Sequence, residues 1–180
     1  AVLGAALAAL AVASGPPPNG AQASSCAGAD TNPSRLNSGE ARRAVACLIN
    51  ERRANAGLSA LDRDRRLQKA AQRHTKRMHG TGCFAHQCPG EGSLESRLRS
   101  TGYLGGGVSH WRYAENVGWG RRGRGTPARM VEAWMGSAPH RAYILDGGFR
   151  DLGVGFRAGT PARKNAAGGV FTVDFGLRSG

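Results

Sequence analysis

Lysine is scarce in this chain: Lys69, Lys76 and Lys164 are three of 25 basic residues, and the other 22 are arginine. Acidic residues number 12, leaving a formal net charge of +13. An excess of this size implies an anionic neighbour (nucleic acid, an acidic cell-wall polymer or a membrane surface) or simply a solvated basic surface. No charged side chain precedes Asp30 and no aromatic ring precedes Phe84, so the aromatic part of any core comes from the second half. Long apolar runs are missing too. Residues 1–13, AVLGAALAALAVA, are too few to span a bilayer comfortably, so no transmembrane span is expected in the mature chain. Neither a Gly-x-Ser-x-Gly elbow nor a His-Glu-x-x-His pair occurs, which removes two common hydrolase signatures.

What is present suggests export. Residues 1–13 read as part of the h-region of a signal peptide, with Ala11-Val12-Ala13 or Ala21-Gln22-Ala23 as a small-residue cleavage site. Residues 14–35, rich in Pro, Gly, Ser and Ala, read as an extended linker, and the domain is expected over 36–180. Four cysteines in an exported chain imply two disulfides. Cys83 and Cys88 lie five apart and are paired, leaving Cys26 with Cys47. The short bridge encloses Phe84-Ala85-His86-Gln87. A zinc cluster drawn from His74, His79, Cys83, His86 and Cys88 has no standard structural spacing, and oxidation disfavours its thiolates.

Periodicity predicts a helix over 39–56, with Asn37 and Glu40 as a capping box and Gly57 closing it. A second helix over 63–79, capped by Asp62, puts Leu67, Ala70, Ala71, His74 and Met78 on one face and basic residues on the other. His74 reads as a packed histidine. A short helix over 94–101 follows, then a strand over 111–119. A fourth helix starts at Thr126-Pro127 and is expected to end at Pro139. Strands over 152–156 and 170–175 close the domain; in the last, polar Thr172 and Asp174 alternate with Phe171, Val173 and Phe175 as in a half-exposed strand. Helices on both sides of a small, mostly antiparallel sheet are the expected packing.

An ordered set of short segments carries a resemblance. These are Leu48-Ile49-Asn50-Glu51-Arg52-Arg53, Phe84-Ala85-His86, Ala114-Glu115-Asn116-Val117, and Trp134 through His140-Arg141. Ile144-Leu145, Leu152-Gly153-Val154-Gly155-Phe156 and Asp174-Phe175-Gly176 follow. In this order the chain resembles the CAP superfamily of cysteine-rich secretory, antigen 5 and pathogenesis-related proteins, in its bacterial secreted branch. The resemblance implies an α+β fold, a three-layer α–β–α sandwich, with secretion and a shallow cleft. In that family two histidines and two acidic residues line the cleft, which can hold a divalent metal, often zinc. Carried over by motif, His86 and His140 match the histidines and the metal ligands, and Glu115 matches the first acid. Ser137 stands where the second acid would be, and Tyr143 replaces an Asn at the cleft rim. Glu115 can serve as a ligand or, equally, orient an imidazole by hydrogen bonding.

Three functions follow as expectations. The leading one is a secreted, non-enzymatic binding module for a divalent metal and for small hydrophobic, lipid or sterol-like, or envelope-derived ligands. A hydrolase using His86 or His140 as base, with Ser137 or metal-bound water as nucleophile, is the second. Attachment to an acidic cell-envelope polymer through Arg121, Arg122, Arg124 and the second helix is the third, with no specific nucleic-acid partner.

Overall fold

The computed structural model describes residues 25–180. Residues 1–13 and most of the expected linker, up to residue 24, lie outside the described residues. A 3-10 turn, Pro33–Arg35, leads into α1, Ser38–Asn55. The elements that follow are β1 Asp62–Arg63, α2 Arg65–Thr81, α3 Leu94–Ser100, β2 His110–Arg121, α4 Pro127–Gly136 and α5 Ala138–Ile144. Strands β3, Asp151–Ala158, and β4, Gly168–Ser179, finish the chain. The sheet runs β1-β3-β4-β2, with β1 parallel to β3 and the other pairs antiparallel. Helices α1, α4 and α5 pack on one face and α2 on the other, the three layers expected.

Local chemistry accounts for the helix starts. Asn37 accepts from Glu40 N at 2.9 Å while the Glu40 carboxylate accepts from Asn37 N at 3.0 Å, the capping box read from sequence. For α2 the cap is Asp64, not Asp62: Asp64 Oδ1 accepts from the amides of Arg66 and Leu67, while Asp62 pairs with β3. Pro139 opens α5 instead of ending α4. The earlier helix stops at Gly136, and Ser137 links the two, leaving proline at a first turn where its missing N–H costs nothing.

The main core joins α1, α4 and α5 to the inward residues of β3 and β4, among them Leu152, Val154, Phe156, Phe171, Val173 and Phe175. Cys26 and Ala29 belong to it as well, so the folded body includes the last part of the stretch read as linker and begins ahead of Leu36. The disulfide Cys26–Cys47 fastens that segment to α1. Arg53, fully buried, donates to the carbonyls of Ser59, Ile144 and Asp146, tying the end of α1 to the loop after α5.

On the opposite face, β3 has glycines where side chains would stand. A Cβ at Gly153 would lie 2.2 Å from the Gln68 nitrogen, and one at Gly155 would lie 2.4 Å from the Ala71 carbonyl oxygen. These glycines let the α2 backbone settle directly on the sheet. The same contact buries both faces of β4. Thr172 and Asp174 are fully buried rather than half-exposed, and Thr172 accepts from Thr75 at 2.8 Å. The polar alternation of β4 thus faces a second helical layer instead of solvent.

Candidate functional site

The loop between α2 and α3 brings Phe84 and His86 to the end of the sheet. Its base is closed by Cys83–Cys88, with a Cα separation of 5.9 Å, as the spacing suggested. Arg97 on α3 anchors it from behind, donating to the His86 carbonyl at 3.0 Å. Glu91 adds a second tether by accepting from the Cys88 amide at 3.3 Å. Facing the loop across β2 is the α4–α5 corner, which carries Ser137 and His140. Between them lies a cleft of about 920 Å³ lined by Phe84, Val117, Trp119, Met130 and Ala133, with His86, Ser137 and His140 also on its wall. Phe84 and Trp119 meet edge to face with ring centroids 6.4 Å apart. Both rings remain exposed at 46% and 39%, a combination that suits a site in which part of a ligand completes the packing.

Behind His86 sits a buried ionic network. Glu115 Oε1 lies 2.9 Å from His86 Nδ1, and Glu115 Oε2 accepts from the Arg97 guanidinium at 2.9 Å. Burial opposes ionisation of Glu115, but the hydrogen bonds from His86 and Arg97 outweigh it and hold its pKa below the ordinary carboxylate value. The same hydrogen bond raises the His86 pKa against partial desolvation. His74, buried within α2, bonds Glu91 at 2.8 Å through Nδ1 and places Nε2 3.9 Å from Glu115. Asp174 pairs with Glu115 in the β2–β4 register and is fully buried. Burial, and then the charge of Glu115, push its pKa well above the ordinary range, so it tends to keep its proton.

His140 has a different setting. Its Nδ1 lies 2.7 Å from Ser137 Oγ, and Asn116 donates to its backbone carbonyl at 3.1 Å. Partial burial and then the charge of His86 lower its pKa, which favours a neutral ring; when Nδ1–H donates to the serine oxygen, Nε2 keeps its lone pair. The structure therefore gathers His86, Ser137 and His140 on one wall and puts Glu115 directly behind His86. Tyr143 is not among the residues lining this cleft; it lies farther along α5, 41% exposed.

Several participants were not singled out as site residues from sequence. Arg97, Glu91 and Asp174 complete the network, and His74, read as a packed histidine, is both packed and hydrogen-bonded to Glu91. An acid and an amide next to each other in β2, Glu115-Asn116, opposite an acid in β4, Asp174, formed the available signal. It becomes informative only once the strand register is known.

The donor set also bears on a metal. Glu115 is hydrogen-bonded to His86 and Arg97, the arrangement of a group that orients the His86 ring. Among the described residues, the grouping of three or more metal-type donors at ligand spacing is Cys26, Cys47 and Glu51, whose two sulfurs form a disulfide. His86 and His140 instead each have one ring nitrogen engaged, by Glu115 and Ser137, and one remaining. Their chemistry fits a two-imidazole site completed by other ligands.

A three-layer α–β–α sandwich with a disulfide-closed histidine loop facing a second histidine defines a class of protein. The chain belongs to the Cysteine-rich secretory protein family, CAP, whose profile matches residues 47–175. It is 35% identical over 109 residues to the uncharacterized protein YkwD of Bacillus subtilis strain 168, covering 61% of this chain and 39% of that relative. The chain therefore spans well under half of that relative's length. Among solved structures it resembles an extracellular protein containing an SCP domain from Bacillus anthracis strain Ames, at TM-score 0.61 and 23% identity over 77% of this chain and 40% of that one. It also resembles an outer surface protein of Borrelia burgdorferi, at TM-score 0.60 and 21% identity over 75% and 90% of the respective chains. Those two likenesses establish the α+β fold. Among the described residues no helix is long and apolar enough to cross a membrane.

Proposed function

We propose that this protein is a secreted binding module whose cleft takes a small hydrophobic ligand, with His86 and His140 able to hold a divalent ion at one end. The cleft itself carries the proposal: a volume of about 920 Å³ lined by aromatic and aliphatic side chains, with imidazoles on its wall and Arg121, Arg124, Arg129 and Glu132 also lining it. That volume and lining are those of sites that bury a small molecule. The Ser137–His140 contact is the observation on which a hydrolytic reading would stand. Glu115, however, orients His86 and not His140, the ring in contact with Ser137, so the geometry supports binding better.

With 1-octanol as probe, the fluorescence of Trp119 should change saturably, and Phe84→Ala should weaken that binding at least tenfold. Linear, unsaturable partitioning, or an unchanged Kd in Phe84→Ala, would remove the cleft from the account.

For the ion, the ring nitrogens not taken by Glu115 and Ser137 would be the donors, and zinc held there would polarise an oxygen of a bound ligand. Because Glu115 raises the His86 pKa, protons compete for that ring above the ordinary histidine value of 6.5, so zinc affinity should still climb as pH rises past that value. Calorimetry should show one site that disappears in the His86→Ala, His140→Ala double variant. Equal zinc uptake by the double variant would assign the ion elsewhere.

A further inference from the structure

Beyond the cleft, β2 ends at Arg121 and the chain turns through a 3-10 segment, Arg122–Gly125. This turn lies backbone against backbone on the sheet. A Cβ at Gly125 would stand 2.4 Å from the Gly120 carbonyl oxygen and 2.8 Å from the Gly169 nitrogen, while one at Gly120 would stand 2.2 Å from the Arg124 oxygen. Contacts that close admit glycine alone, so the turn has little freedom to shift. Arg122 N also donates to the Ala167 carbonyl at 2.8 Å, which ties the turn to the loop before β4. Arg122 itself sits at φ +49°, the sole described non-glycine residue at positive φ.

The outcome is a bay of about 410 Å³ walled by Arg121, Arg122 and Arg163, with Asn165, Ala166 and Ala167. Some arginines elsewhere in the fold are paired with carboxylates, such as Arg66 with Asp64, Arg97 with Glu115, Arg112 with Asp146 and Arg129 with Glu132, while many others among the described residues stand singly. Among the described residues, none of the three arginines of the bay has a carboxylate within ion-pair distance. Guanidinium groups grouped around one hollow without internal counter-charge are chemically matched to a phosphate, which several of their forked N–H donors can grip. Arg121 lines both the bay and the apolar cleft, so the two hollows share a wall.

We propose that the arginine bay is a phosphate-binding site, and that a single amphiphile places its phosphate there and its apolar chain in the adjoining cleft. The apolar half rests on the cleft reading above; the phosphate half does not. This arrangement separates the ligand from an acidic polymer held by diffuse charge, because the two ends of the ligand are recognised by different chemistry at fixed separation.

Calorimetry on the full chain with octyl phosphate, 1-octanol and inorganic phosphate tests it. Octyl phosphate should bind at least tenfold more tightly than either of the other two. The Arg122→Gly, Arg163→Ala double variant should weaken octyl phosphate at least tenfold while leaving 1-octanol unchanged. Glycine is at ease at φ +49°, so Arg122→Gly should keep or raise Tm, and lost affinity would not be lost folding. Equal affinity for octyl phosphate and 1-octanol, or indifference to the double variant, would overturn the bay. Equal affinity for octyl phosphate and inorganic phosphate would overturn the joined site. Failure of 1-octanol to bind, with inorganic phosphate still held in an Arg163-dependent way, would sink the cleft reading and the joined amphiphile while retaining the phosphate site.

Discussion

Arg97→Met should lower the unfolding free energy by about 3–5 kcal/mol, the usual cost of removing one partner from a buried ion pair. Both partners are shielded, with side chains 7% and 2% exposed for Arg97 and Glu115. Without the guanidinium, Glu115 would keep His86 as a hydrogen-bond partner but lie against Asp174 with its main cation gone. The double variant Arg97→Met, Glu115→Gln should regain a large share of the loss, because the stranded charge is then absent. Urea denaturation at neutral pH measures all three proteins. A loss under about 1 kcal/mol in Arg97→Met, or no recovery in the double variant, would mean that the network is not the electrostatic keystone of this face. The effect should reach the cleft as well. Arg97 also holds the His86 carbonyl at 3.0 Å, so zinc affinity should fall in Arg97→Met even at temperatures where the fold persists.

This arginine shows where sequence reading stops. The first four helices, their order and the main strands were legible because each depends on nearby residues: the Asn37–Glu40 capping box, the Thr126-Pro127 start, and the alternation of Phe171, Val173 and Phe175; α5, opened by the Pro139 expected to end α4, was not. His86 and His140, 54 positions apart by their numbering, have no local spacing that announces a shared wall, and only the family resemblance joined them. Nothing in the sequence sets Arg97 apart from the other arginines. Its role depends on α3 folding back so that the side chain reaches β2, a tertiary fact with no periodic trace. The glycines of β3 taught a similar lesson. Gly153 and Gly155 suggest a weak strand in isolation, yet they are what permits α2 to approach, and that approach turns Asp174 from a surface acid into a buried one.

From that burial comes the second large effect, on pH dependence. Asp174 is fully buried with its pKa raised well above the ordinary value, first by desolvation and then by Glu115. A group whose folded pKa is raised contributes stability that is full below its unfolded pKa, near about 3.9, and lost as pH climbs through the folded value. Glu115 has the opposite sign: its folded pKa is lowered, so its contribution is present above the unfolded value and disappears on acidification through the folded one. The wild-type protein should therefore be most stable in mildly acidic solution and lose stability towards alkaline pH, by up to about 1.4 kcal/mol per pH unit per proton within the window of Asp174. Asp174→Asn keeps the shape but removes the ionisation, so its alkaline limb should be markedly flatter. Its unfolding free energy should match or exceed wild type above neutral pH and fall closest to it, or below, under acid conditions. His86 adds a loss of the same sign as pH rises, but its side chain is 62% exposed and its share is screened by solvent. Making the substitution in a His86→Ala background isolates the aspartate. An alkaline limb as steep in Asp174→Asn as in wild type, in both backgrounds, would show that Asp174 is ionised without penalty and that its proton is not what lets two carboxyl groups share the floor behind the cleft.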